Sequence, residues 1–261
     1  MSDNSKIKNQ NSRAADKIIV ALDVETAEEA REAIGELRGE VGAFKIGLQL
    51  FTRAGASFVR ETVERGVRIF LDLKFHDIPN TVAKASIEAA RLGVWMFNVH
   101  ALGGSEMLLK TSQSVREFCD KENLKQPKII GVTILTSSNQ ETLSEIGIET
   151  DIDEQTLNLA RLTAKNNLDG VVASPHEVKA IRAAVDRKDF LIITPGIRSA
   201  KTQDKNLERG TFDDQKRVMS AGEAVNAGAN YLVIGRPILQ ADDKIAAVKE
   251  ILREIESKRA Q

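Results

Sequence analysis

Asp72, Lys74 and Asp77 follow the spacing D-x-K-x-x-D within DLKFHDIPNT, residues 72–81. An ammonium held between carboxylates can stabilise charge that develops on a bound molecule, and it can hand over a proton. Two further charges sit in comparable positions: Asp23 closes KIIVALD (17–23), and Lys45 lies inside AFKIG (43–47). Late in the chain, TPGIR and IGRP each join a glycine to an arginine, Arg198 or Arg236. A backbone free of Cβ can approach an anion closely, and a guanidinium can bind two oxygens at once, so this pairing suits a phosphate. The chemistry expected is that of a lysine–aspartate cluster acting on a phosphorylated small molecule.

Such residues need a frame. Eight short β-rich runs can supply it: 17–23, 43–47, 68–75, 96–101, 128–135, 170–174, 191–197 and 231–236. Between them lie stretches such as TAEEAREAIGELRG, TVAKASIEAARLG and AGEAVNAGA, where apolar residues recur three or four apart. Gly66, Gly93 and Gly228 fall where helix C-terminal caps belong, and Gly103-Gly104 reads as the turn into the fourth helix. Strict alternation argues for a parallel sheet, and eight units in 261 residues favour closure into a single (β/α)8 TIM barrel over an open sheet. The barrel domain is expected over 16–261, after a polar, mobile tail over 1–15, with fraying from Ser257 onward. Ser199 to Gln215 is the longest unassigned stretch. Its part from Ser199 to Asp214 is expected to be mobile without ligand and to close when phosphate is bound.

Side-chain alternation then sorts the charges. In the third strand Ile69, Leu71, Leu73 and Phe75 share the phase that meets the helices, whereas Phe70, Asp72 and Lys74 point inward. In the first strand Ile18, Val20 and Leu22 face out while Ile19, Ala21 and Asp23 face in; in the second, Phe44 and Ile46 flank Lys45. Three neighbouring strands thus deliver Asp23, Lys45, Asp72 and Lys74 to the C-terminal mouth, where β/α barrels keep their active sites. The glycine–arginine turns fall at the ends of strands seven and eight, a common phosphate position in such barrels. Plainer explanations exist. A lone strand-end lysine is ordinarily solvated, and Asp77, just before Ile78-Pro79, suits a helix cap. Four charges in one phase of three adjacent strands are harder to explain that way.

Composition narrows the class. A formal net charge of −1 offers nothing to nucleic acid or an acidic membrane. Cys119 is the sole cysteine, which precludes an internal disulfide and fits a cytoplasmic, reducing setting. No apolar run is long enough to span a bilayer. His76, His100 and His176 lack H-E-x-x-H spacing, although His76 and His100 can both approach the mouth, which leaves a metal open. Neither a Walker A loop nor G-x-G-x-x-G occurs, and Ser174-Pro175-His176 lacks the G-x-S-x-G elbow.

DLKFHDIPNT resembles the signature of the orotidine 5′-phosphate decarboxylase family. The likeness continues through ALD (21–23), FKIG (44–47), TILTS (133–137), PGIR (195–198), DQKR (214–217) and VIGRP (233–237). The D-x-K-x-x-D core is shared with hexulose-phosphate synthases and keto-gulonate-phosphate decarboxylases, but the HDIPNT continuation is more specific. The resemblance implies decarboxylation of orotidine monophosphate to uridine monophosphate, without cofactor or metal, by a homodimer with shared sites. Lys45, Asp72, Lys74 and Asp77 match the catalytic lysines and aspartates, with Lys74 as proton donor and Asp77 reaching into the partner's site. Asp23, Thr81 and Lys45 are implied to hold the ribose and Thr136 and Ser137 the pyrimidine. Gln215, Gly235, Arg236 and Arg198 are implied to grip the phosphate. The stretch between Arg198 and Gln215 is longer than the bacterial form leads one to expect. The alternatives are a related magnesium-dependent phosphosugar barrel enzyme and a silent phosphate-ligand binding protein.

Overall fold

A computed structural model describes residues 14–198 and 219–257. Eight parallel strands close in sequence order: β1 Ile18–Ala21, β2 Ala43–Gly47, β3 Ile69–Phe75, β4 Met96–His100, β5 Lys128–Val132, β6 Gly170–Val172, β7 Leu191–Thr194 and β8 Tyr231–Ile234. The expected (β/α)8 barrel is therefore present. The strands end earlier than the apolar runs suggest, most clearly β5 at Val132 rather than 135 and β7 at Thr194 rather than 197. Ile134, Ala173 and Ile197 stay buried after leaving the ladder, so hydrophobicity outlasts strand pairing at the mouth. Of the tail expected over 1–15, only Ala14 and Ala15 are described, and Ala14 is buried.

The helices follow from caps and spacing. Helix α1 (Ala27–Leu37) starts at Thr26, whose hydroxyl accepts the Glu29 N–H, and buries Ala30, Ala33, Ile34 and Leu37 along one face. Next come α2 (Leu48–Glu64), α3 (Pro79–Arg91) and, after a 3₁₀ turn at Ala101–Gly103, α4 (Gly104–Glu122). Gly66 and Gly93 follow α2 and α3 with φ of 79° and 75°, the left-handed conformation that closes a helix end. A short helix, α5 (Gln140–Glu145), precedes α6 (Ile152–Lys165) and packs Leu143 against Ala101, Ile134 and Leu159. Then follow α7 (Val178–Ala184), α8 (Ala221–Ala227), α9 (Arg236–Leu239) and α10 (Lys244–Ser257). Gly228 caps α8 at φ 112°.

Two apolar layers divide as the alternation requires. Ile18, Val20, Leu22, Phe44, Ile46, Ile69 and Leu71 pack between strands and helices. Ile19, Ala21, Ala43, Phe70, Met96, Ile130, Ile193 and Val233 fill the barrel itself. The filled interior forms a floor, and polar side chains continuing the same inward phase must emerge above it.

Candidate active site

Register decides how the charges meet. Ala21 pairs with Lys45, Lys45 with Phe70, and Gly47 with Asp72, so the inward side chains climb the wall in steps. The Lys45 ammonium reaches Asp23 Oδ1 and Asp72 Oδ2, each at 3.3 Å. Lys74 Nζ lies 2.7 Å from Asp72 Oδ1. Asp72 is thus bound on both oxygens. Its side chain is 13% exposed and that of Lys45 11%, against 60% for Asp23 at the rim. Burial works against the charge on each member of the inner pair, but opposite charges prevail. Asp72 and Asp23 hold Lys45 above its ordinary pKa, and Lys45 and Lys74 hold Asp72 below its own. At Gly47 an added Cβ would come 3.0 Å from Lys45 Nζ, so the absent side chain leaves room for the ammonium.

The end of β3 departs from a regular strand. Pairing with β4 passes from Leu71↔Phe97 to Phe75↔Val99, so three residues of β3 bulge opposite one of β4. Lys74 has φ 51°, uncommon for a residue with a side chain. Its N–H is taken by the side-chain oxygen of Asn98, at 2.8 Å, and the Asn98 amide nitrogen donates to Asp72 Oδ1 at 2.7 Å. Asn98 is fully buried. Sequence reasoning missed it, although its signal was legible: Asn98 shares the inward phase of β4 with Met96.

Above the floor opens a cavity of about 550 Å³. Asp23, Lys45, Asp72 and Lys74 line one side; Thr136 and Leu135 lie beyond β5; and Arg198, Gly235, Arg236 and Gln240 stand at the ends of β7 and β8. At Gly235 a Cβ would meet Asp23 Oδ2 at 3.3 Å and Ala21 Cβ at 3.4 Å. The Arg198 N–H donates to Met219 O, and Met219 N–H to Gly196 O, which ties Arg198 to the chain's return. Gln240 was also missed; it sits in α9's C-terminal flank, where nothing in local pattern marks it. Gln215 and the expected lid over 199–214 lie outside the described residues.

Of the expected site residues that are described, three are not among the cavity's lining: Ser137, Thr81 and Asp77. Asp77 is exposed, and its carboxylate accepts its neighbour Ile78's N–H at 2.6 Å. The cap position of α3 belongs to Ile78, with Pro79 following, so Asp77 does not cap the helix. His76 and His100 stack with ring centroids 5.3 Å apart. Burial, with lesser contributions from His76 and Lys74, lowers the His100 pKa to about 4. Among the described residues no three His, Cys, Asp or Glu side chains gather as a metal site. Nor is any described helix long and apolar enough to cross a membrane.

Charged side chains from successive strand ends, converging over a sealed floor, place the chain among the β/α-barrel enzymes. Residues 16–251 match the model of the orotidine 5′-phosphate decarboxylase / HUMPS family, and the chain belongs to that family. Proteins of Syntrophotalea carbinolica and Geobacter sulfurreducens, both named orotidine 5′-phosphate decarboxylase, are 50% identical to it over 93% of this chain, and the matches cover 96% and 97% of those proteins. The crystal structure of orotidine 5′-phosphate decarboxylase from Lactobacillus acidophilus superposes with a TM-score of 0.78 at 34% identity, covering 91% of this chain and 98% of that one.

Proposed function

We propose that the chain catalyses decarboxylation of orotidine 5′-phosphate to uridine 5′-phosphate and carbon dioxide, the last step of pyrimidine nucleotide synthesis. The observation that carries this reading is the Lys74–Asp72–Lys45 array, in contact within one cavity of a chain belonging to this family. Breaking the bond between C6 and the carboxylate leaves the electron pair on C6, in the plane of the ring, where the π system cannot absorb it. A cation must stand beside C6. The Lys74 ammonium does so and then transfers a proton from Nζ to C6; the resulting amine regains its proton from solvent. Asp72, kept ionised by its two lysines, faces the departing carboxylate and raises the energy of the bound substrate. Asp23, Lys45 and Thr81 hold the ribose, Thr136 and Ser137 the pyrimidine, and Arg198, Gln215, Gly235 and Arg236 the phosphate. Binding energy from the remote phosphate is available to organise the reacting groups.

The working unit is a homodimer in which Asp77, just before α3, and Thr81, in its first turn, serve the partner's cavity. Two observations support this. Neither residue lines its own chain's cavity. Leu48, Ile78, Leu102 and Leu135 are exposed just beyond the ends of β2 to β5, on the side of the mouth that carries Asp77. The sole cysteine suits a cytosolic setting.

The test is the absorbance change of orotidine monophosphate on conversion, recorded with chelator present. Turnover that survives chelation is expected. Turnover that requires magnesium, or acts on a phosphosugar instead, would favour the related barrel enzymes, and binding without turnover would favour a silent binding protein.

A further inference from the structure

Asn98 is a buried amide with both ends engaged, and both partners belong to the reacting pair. Its oxygen accepts the Lys74 N–H at 2.8 Å, and its nitrogen donates to Asp72 Oδ1 at 2.7 Å. The first bond replaces one that the ladder cannot make. Between Leu71↔Phe97 and Phe75↔Val99 the two strands fall out of step, and Lys74 turns into the left-handed region at φ 51°. A main-chain N–H turned out of the ladder needs another acceptor if it is not to be left unpaired. The second bond complements Lys45. With Oδ1 held by Asn98 and Oδ2 by Lys45 at 3.3 Å, the carboxylate plane of Asp72 cannot turn freely. Lys74 Nζ, 2.7 Å from the same Oδ1, is thereby constrained from its main chain and from its tip.

We propose that Asn98 is a positioning residue for the decarboxylation. It sets the Lys74 backbone in its bulged conformation and orients the Asp72 carboxylate, so that Lys74 Nζ is aimed at the reacting carbon. Asn98 touches no substrate atom in this role. Its effect falls on the chemical step, because misplacing a reacting group by an ångström costs rate while leaving remote binding contacts in place. Asp72 and Lys74 on β3 are its charged neighbours, with Lys45 on β2 behind Asp72 and His100 following on β4; Ile130 and Val132 of β5 bring no charge.

Asn98→Asp keeps size and shape, can still accept the Lys74 N–H, and cannot donate to Asp72 unless it is protonated. At about pH 8, kcat is expected to fall on the order of 100-fold while KM stays within about threefold. As pH falls toward about 6 the variant should regain kcat relative to the parent, because a protonated carboxyl restores the donor and two adjacent carboxylates share a proton readily. A role in folding alone would move stability without this inverted pH profile. Asn98→Ala and Asn98→Ser, smaller and unable to bridge both partners, should show the same kcat loss without acid recovery, and they serve if the extra carboxyl prevents folding. Affinity supplies a readout without turnover. A uridine monophosphate analogue with an anionic oxygen at C6 meets the Lys74 ammonium, whereas uridine monophosphate itself does not. All three variants should lose affinity for the analogue about tenfold or more and keep that for uridine monophosphate. The inference rests on the decarboxylase reading. A parent chain with no turnover and no preference for the C6 oxyanion would refute that reading. An active, discriminating parent whose Asn98 variants match it in kcat, pH profile and both affinities would overturn the role of Asn98.

Discussion

Asp72 is where the site's electrostatics converge. Its carboxylate accepts from Lys45, Lys74 and Asn98 in a setting that burial alone would make hostile to charge. The folded chain holds Asp72 below its ordinary 3.8, so its contribution to stability is present above that pH and is lost as pH falls through the lower folded value. His100 acts in an earlier window. In the folded chain it is neutral down to about 4, whereas its ordinary value is 6.5. The unfolded chain therefore takes up the proton first, and stability declines as pH drops from 6.5 toward 4. Thermal melting in a pH series should show a gentle decline beginning near 6.5. His100→Asn should flatten that part and leave the steeper loss at lower pH. An unchanged slope in the variant would remove His100 from the account.

Strands hold this array at their C-terminal ends, and the opposite end is stapled separately. Arg182 of α7 donates to Gly228 O from Nε and Nη2, at 3.0 and 2.8 Å, to Phe190 O at 2.6 Å and to Asn230 Oδ1. Asn230 Oδ1 also accepts the Ile192 N–H at 2.8 Å. One guanidinium thus joins α7 to the starts of β7 and β8, far from the mouth. Arg182→Ala leaves these carbonyls without their charged donor and is expected to cost about 2–3 kcal/mol, which for a chain of this size lowers Tm by several degrees. Activity below the melting range should persist with near-normal kcat and KM. A large fall in kcat at full folding would show that the staple reaches the chemistry.

Assembly bears on what a single chain lacks. Asp77 and Thr81 stand off their own cavity, on a face with exposed Leu48, Ile78, Leu102 and Leu135. Under the proposed mechanism Lys74→Ala removes the cation and proton donor, and under the proposed homodimer Asp77→Asn removes a charge supplied to the partner's site, so each variant alone should be nearly inactive. In a mixed dimer one site has lost both groups and the other is intact, so mixing should restore up to about half the parent activity per mixed dimer. Mixtures proven to exchange subunits that nonetheless stay inactive would refute sharing.

The barrel and much of its site were legible in the linear chain because alternation is a local property. Once Ile69, Leu71, Leu73 and Phe75 are assigned to the helices, Asp72 and Lys74 must point inward, and the same logic carries Asp23 and Lys45. The glycine–arginine pairs at the ends of β7 and β8 could likewise be placed by counting strands. What alternation cannot supply is register and departures from it. Whether Lys45 bridges Asp23 and Asp72 depends on the stagger between neighbouring strands, which no single strand encodes. The left-handed turn at Lys74 arises where β3 and β4 fall out of step, and Asn98, which accommodates it, comes from a different strand. Gln240 lines the cavity from the C-terminal flank of α9, outside any strand whose alternation could have placed it. Residue types and spacing determined which charges enter the barrel; the closure of strands upon one another decided which of them touch, because contact depends on residues distant in the chain.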